Sequence, residues 1–202
     1  MTQASKRTHR LAVAAMLSAV AAVLQFVEFS IPLIPSFVKL DISDLPALLG
    51  TFSLGPVYGV AIQLAKNLLH LPFGSSAGVG ELSNFILGAV FVFVAGIIYK
   101  HNKSRKSALV GSVAGAASMA LVSIVTNYFI VYPAYVVLYK LPLEAIVGMY
   151  EAILGGVSHV PTQNALLNCL LVFNVPFTLV KGLLDTALCF LIYKPLSPLL
   201  HR

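Results

Sequence analysis

The stretch "LPALLGTFSLGPVYGVAIQLAKNLLHLP", Leu45 to Pro72, decides how the rest of the chain is read. Its length of about 28 residues is too great for one comfortable helical crossing of a bilayer, which takes roughly 20. "LGPVYG" at 54–59 interrupts it. Proline has no N–H to continue a helix and restrains the residue before it, so Gly55-Pro56 is a strong local breaker. The stretch therefore reads as two short helices, about 44–55 and about 57–72.

The basic residues argue the same point independently. "SKRTHR" (5–10) precedes the first apolar run, "YKHNKSRK" (99–106) follows a later one, and "HR" ends the chain with Lys194 just before. Such loops belong on the cytoplasmic side. A single crossing over 45–72 would put 99–106 outside; two crossings put it inside. The remaining spans are Leu11–Phe29, about Gly80 to Tyr99, Ala108 to about Tyr139 with tilt or a kink at Pro133, and Ala165 to about Leu196. The fold class is thus an all-α integral membrane protein, a six-transmembrane-helix bundle with both termini cytoplasmic. Residues 1–202 form a single membrane-embedded domain.

Composition agrees. The chain is 58% hydrophobic and 10% charged, with mean hydropathy +0.91. A soluble domain has about 45–50% apolar and roughly 25% charged residues. Net charge is +6, but the 13 basic residues lie at segment ends. That pattern sets orientation in a bilayer and is no nucleic-acid footprint. "AVA" at 19–21 resembles a signal-peptidase site, yet the apolar run continues to Phe29. A signal h-region has about 7–15 residues, so an uncleaved first helix is favoured. Cys169 and Cys189 share one apolar stretch. On a helix they stand about 30 Å apart, beyond disulfide reach, and read as core residues.

Three connections then lie outside: 30–43, 73–79 and about 140–164. The periodic middle of the third, Leu143 to Leu154, suits an interfacial helix. The polar groups at membrane depth gather toward this end. They are Lys66 and Asn67; Glu81 and Asn84, three apart on one helical face; Asn127, Tyr128 and Tyr132; and Asn174, Thr178, Lys181 and Asp185. Asp41 and Asp44 lie in the connection that passes over them. Such groups are expensive in a bilayer and mark a site by default. Taken singly, each has a plainer reading. Asp44 suits an N-cap, with Pro46 in the first turn of its helix. Glu81 suits a first-turn charge facing the helix dipole, and Asn127 an interhelical hydrogen bond. Lys181 and Asp185 suit an in-helix pair, though Lys before Asp is the weaker order. Their convergence points to an outward-facing pocket for a polar molecule without strong charge.

On the first helix Ala15 and Ala19 form an A-x-x-x-A pair, with Ala14, Ser18 and Ala22 alongside. Small residues four apart admit a second helix, within the bundle or from a partner. There is no G-x-x-x-x-G-K-[ST] loop, no H-E-x-x-H and no Cys/His set of zinc spacing. His70, His101 and His159 are scattered, and no Ser/His/Asp set stands out. No metal is expected, and nothing supports an enzyme.

"KLDISDLPALLG" with "GPVYG", "SSAGVGELSNFILG", "TNYF" and "PFTLVKGLLDTALCFLIYKPLSPLLHR" resemble, in order over nearly the whole chain, the riboflavin-specific S components of energy-coupling factor (ECF) transporters. The resemblance implies a six-helix subunit that captures riboflavin from outside under a lid formed by the first external loop. It implies docking on a membrane-embedded coupling protein with two ATPase subunits, whose ATP hydrolysis topples the S component and releases the vitamin inside. Riboflavin is then a transported ligand, and no cofactor is expected. Ala15 and Ala19 map to the docking surface. Asp41, Leu45, Glu81, Asn84, Asn127, Tyr128, Thr178 and Lys181 sit in or near the motifs that approach the ligand. Thr178 departs from the Asn that members often carry, and offers fewer hydrogen-bonding groups. Rival expectations are an S component for thiamine or pantothenate, a small membrane enzyme acting on lipid through Glu81 or Asp41, and an assembly subunit without a ligand. Lys181 in the pocket disfavours cationic thiamine.

Overall fold

A computed structural model describes residues 3–30, 39–74, 76–140, 142–153 and 165–200. Helix α1 spans Gln3–Gln25, α2 Asp44–Leu54, α3 Pro56–His70, α4 Val79–His101, α5 Arg105–Thr126, α6 Tyr132–Tyr139, α7 Leu143–Ile153, α8 Ala165–Cys169 and α9 Val175–Leu200. A two-residue antiparallel ribbon, β1 (Phe29–Ser30) with β2 (Lys39–Leu40), follows α1, with Phe29 opposite Leu40. Pro32 and Pro35 of the expected lid, Leu154 and His159 lie outside the described residues.

The break between α2 and α3 falls at Gly55. Its φ of +114° is costly for a residue with a Cβ. Its N–H donates to Thr51 O and closes α2, while its carbonyl accepts from Tyr58 N and opens α3. Pro56 fills the first position of α3, where its missing N–H costs nothing. α7 covers the described part, 143–153, of the periodic stretch. Asp44 does not cap α2: it is the first helical residue, preceded by Ser43, which makes no side-chain cap bond. Its carboxylate is drawn into the bundle instead, as described below.

α5 and α6 form one continuous rod through a π-helical turn at Asn127–Val131, and α8 joins α9 through another at Leu170–Asn174. Each π turn stands just before a proline, Pro133 and Pro176. A helical proline cannot donate to the carbonyl four residues back and collides with it. In both cases that carbonyl belongs to a residue of the π turn, whose wider winding accommodates the ring.

The bundle is turned inside out relative to a water-soluble one. Large apolar side chains such as Leu68, Val110, Leu121, Phe129 and Leu191 are exposed on its outer faces. Lys66, Gln63, Asp44 and Asp185 are almost wholly enclosed. Four helical stretches, Gln3–Gln25, Val79–His101, Arg105–Leu138 and Ala165–Ile192, are long and apolar enough to cross a membrane. The apolar core, including Leu48, Phe52, Ile62, Phe91, Ala116 and Met119, lies between α2, α3, α4, α5 and α9. In lipid, association of helices rests on close packing rather than on the hydrophobic effect, and α4 against α5 illustrates it. A Cβ placed on Gly115 would lie 2.5 Å from the Phe91 carbonyl oxygen, and one on Gly111 2.7 Å from that of Ala95. Backbone meets backbone there and cannot yield by a rotamer change. Gly115→Ala should therefore cost about 1–3 kcal/mol, read as a lower melting temperature in detergent. An unchanged melt would show that the two helices separate freely.

Candidate functional site

The polar ends of the helices converge on one cavity of about 300 Å³. It opens where α1 ends and α2 begins, and where α3 meets α4. The end of α5 and the starts of α6 and α9 complete it. Asp41, Glu81, Asn84, Asn127, Thr178 and Lys181, all expected site residues, line it. Phe73, Leu87, Met119, Val131 and Phe177 supply apolar wall.

The floor is ionic. Lys66 Nζ on α3 donates to Asp44 Oδ1 at 2.5 Å and to Ser43 Oγ at 2.6 Å, and Gln63 Nε2 donates to the same Asp44 oxygen at 2.9 Å. Lys181 Nζ on α9 donates to Asp41 Oδ2 at 2.8 Å and to Asn84 Oδ1 at 3.5 Å, with Asp44 Oδ2 also at 3.5 Å. Asp41 Oδ1 in turn accepts from the Ser43 backbone N–H and hydroxyl. Burial opposes ionisation of Asp41, but the charges of Lys181 and then Lys66 outweigh it and hold its carboxyl below the ordinary value. Lys181 therefore bridges α9 to the 41–44 segment and to α4. It does not pair with Asp185 one turn along its own helix.

Two further groups shape the rim and wall. His70 Nδ1 lies 2.9 Å from Glu81 Oε1, and Ser76 Oγ donates to Glu81 Oε2 at 2.8 Å. Lys39 pairs with Glu28 across the ribbon. On the opposite side Tyr132 OH and Tyr150 OH are 2.6 Å apart. Tyr150 OH donates to Asn174 Oδ1 at 2.9 Å, and Asn174 Nδ2 donates to Tyr132 OH at 3.2 Å. This closed ring of three ties α7 to the two π-turn regions.

Two expected contact residues stand elsewhere. Leu45 packs in the apolar core. Tyr128 faces outward, stacked edge-on with Phe129 at 4.9 Å, while its neighbour Asn127 lines the cavity. Ala15 and Ala19 are exposed on the outer face of α1, whereas Ser18 and Ala22 are buried and Ala14 packs against the core. Sequence reasoning missed His70, Gln63 and Tyr150. His70 and Glu81 flank one short connection, so their pairing had a signal in the spacing. Tyr150 had none, because it sits on α7 and reaches residues 18 and 24 positions away.

A helical membrane protein with a polar, solute-sized cavity gathered at one end of its bundle is a membrane-embedded solute-binding protein. Residues 9–193 match the family model described as ECF transporter, substrate-specific component, and the chain belongs to that family. It is similar to the Riboflavin transporter RibU of Staphylococcus aureus (strain TCH60), at 34% identity over 98% of this chain and 95% of the relative. It is also similar to the Riboflavin transporter FmnP of Bacillus subtilis (strain 168), at 30% identity over 97% of this chain and 96% of the relative. A solved structure reported as "Structure and mechanism of the S component of a bacterial ECF transporter" is 35% identical. It superposes with a TM-score of 0.73 over 97% of this chain and 99% of that one. The protein is a multi-pass membrane protein and a transport subunit, not an enzyme.

The Asp44–Lys66 pair, with side chains 1% and 0% exposed, gives a stability prediction. Lys66→Met should cost about 3–5 kcal/mol, because it removes the ammonium bonded to a buried carboxylate and leaves its charge to Lys181 at 3.5 Å. Adding Asp44→Leu to Lys66→Met should recover part of that loss. Thermal melts of the three proteins in one detergent test both statements.

Proposed function

We propose that this chain binds riboflavin in the cavity described above. We further propose that it delivers the vitamin to the cytoplasm together with a membrane-embedded ECF coupling protein and two ATPase subunits. The observation that carries the reading is the chemistry of the cavity. Apolar and aromatic walls suit a flat ring system, and a few fixed polar groups suit its hydrogen-bonding edges and a chain of hydroxyls, the usual plan of a ligand pocket. The names of the two relatives above support the same ligand. In this reading α1, α2, α3, α4, the α5–α6 rod and the α8–α9 rod make six crossings. Both termini are cytoplasmic, since the basic segments 5–10 and 99–106 belong there. The cavity then opens outside, beside the ribbon of β1 and β2, whose Lys39 lines it. The exposed Ala15 and Ala19 offer a flat strip for the coupling protein.

The charges of the cavity favour riboflavin over its phosphate ester. Among the described lining residues Lys181 is already engaged by Asp41 and Lys39 by Glu28, and the His70 imidazole by Glu81. A phosphate brings about −1.5 to −2 charges and would meet no free counter-charge. Asp41, Asn84, Asn127 and Lys181 are assigned the polar contacts, with Glu81 and Thr178 beside them.

The detergent-purified chain should quench riboflavin fluorescence on titration and bind FMN more weakly. No quenching by riboflavin, or equal affinity for FMN, overturns the reading. Asp41→Asn keeps an acceptor for Ser43 but removes the charge. It should weaken riboflavin binding about 10- to 100-fold, the worth of one charged hydrogen bond. An unchanged affinity in a variant whose empty form melts much lower would make Asp41 a structural residue only.

A further inference from the structure

Asp185 is the acid that the site does not use. It sits on α9 one turn beyond Lys181, is 0% exposed, and neither carboxylate oxygen has a hydrogen-bond partner among the described residues. The four acids that line the cavity each have a basic partner: Glu28 with Lys39, Asp41 with Lys181, Asp44 with Lys66, and Glu81 with His70. The charged groups that act on Asp185 are Lys181 on its own helix, Asp41 in the preceding loop, Asp44 on α2 and Lys66 on α3. The thiol of Cys189 faces it from the next turn of α9. The buried residues of α1 and α5 include no ionisable group, and those of α4 only Glu81.

Three carboxyl groups thus share two ammonium groups. An ammonium has three donors. Lys181 donates to Asp41 and Asn84 and stands 3.5 Å from Asp44 Oδ2, and Lys66 is engaged by Asp44 and Ser43. Neither lysine turns to Asp185. A buried carboxylate that no side chain or backbone group bonds is among the most expensive groups to keep ionised, and a buried acid in that position takes up a proton instead. A metal cation would need several oxygen ligands. No cluster of three or more metal-binding side chains exists among the described residues, and the nearby Thr186 hydroxyl is spent on Gly182 O.

We propose that Asp185 is a proton-binding site, a neutral carboxylic acid that balances the buried cluster of two lysines and three aspartates. The proton lies on the side chain itself, so the cavity floor carries no net charge beneath its ligand. The assignment is independent of which solute fills the cavity.

Infrared spectroscopy of the full chain in detergent at neutral pH tests it. A protonated carboxyl has a carbonyl stretch that carboxylates lack, and it shifts in D₂O. The native protein should show this band, and Asp185→Asn should lose it. Absence of the band in the native protein, or its survival in Asp185→Asn, overturns the proposal. Should that variant fail to fold, native protein carrying carboxyl-¹³C aspartate decides. Asp41, Asp44 and Asp185 are the chain's only aspartates, and the first two have lysine partners. A band that moves on labelling supports Asp185; one that stays assigns the proton to a glutamate and overturns it. Melts in sodium and in choline buffer complete the test. Equal melting temperatures agree with a proton, and a sodium-dependent rise that vanishes in Asp185→Asn would assign a metal cation in its place.

Discussion

The meeting of Lys66 with Asp44 at the floor of the cavity is the contact on which the rest depends. A buried ion pair adds little net stability, because desolvation consumes most of its attraction. What it supplies is geometry. It draws the first residue of α2 onto α3, and the Ser43 hydroxyl and Gln63 amide hold the pair in place. From there Asp41 is set where Lys181 of α9 can reach it, across 140 residues of chain. One chain of charge-assisted bonds thereby links α3, α2, α4 and α9 at the end where the cavity opens. In an apolar surrounding the alternative to each bond is an unsatisfied charge, so the arrangement has few competitors.

Much of this architecture was legible in the residues. The division of 45–72 rested on Gly55-Pro56, and local chemistry of that kind acts without help from the rest of the fold. The gathering of Asp41, Glu81, Asn84, Asn127, Thr178 and Lys181 followed from counting helices and noting which end each polar residue occupies. Pairing was less legible. Asp44 looked like a cap because Asp before an apolar run with Pro in the first turn suits one; the draw of Lys66, 22 residues away, overrode that local preference. Lys181 and Asp185 are neighbours on one helix face, yet Lys181 turns to Asp41. Long side chains choose partners by tertiary position, which spacing does not encode. Tyr128 was placed in the site by its neighbour Asn127. Adjacent helical residues point about 100° apart, so one lines the cavity and the other meets lipid.

The distribution of small residues separates two kinds of helix contact. Gly111 and Gly115 bring α5 against the backbone of α4 inside the subunit. Ala15 and Ala19 leave a strip of small residues on α1 that none of the described residues covers. The same sequence device thus serves a permanent internal contact and an uncovered outer surface, and only burial tells the two apart.

The paired π turns carry a consequence of their own. Each holds one residue more than the α-helical winding around it would, and each lies on a rod whose inner half packs through small residues and whose outer half bears cavity residues. One extra residue turns everything beyond it by about 100° about the rod axis. Without it, the face that packs Met119 inward would run straight on, and Tyr132 and Asn174 would not both be turned toward Tyr150. The insertions are in that sense a phase shift between the two ends of each rod: Thr178 and Lys181 keep ordinary helical spacing along α9, while the residues on the far side of each π turn are rotated relative to them.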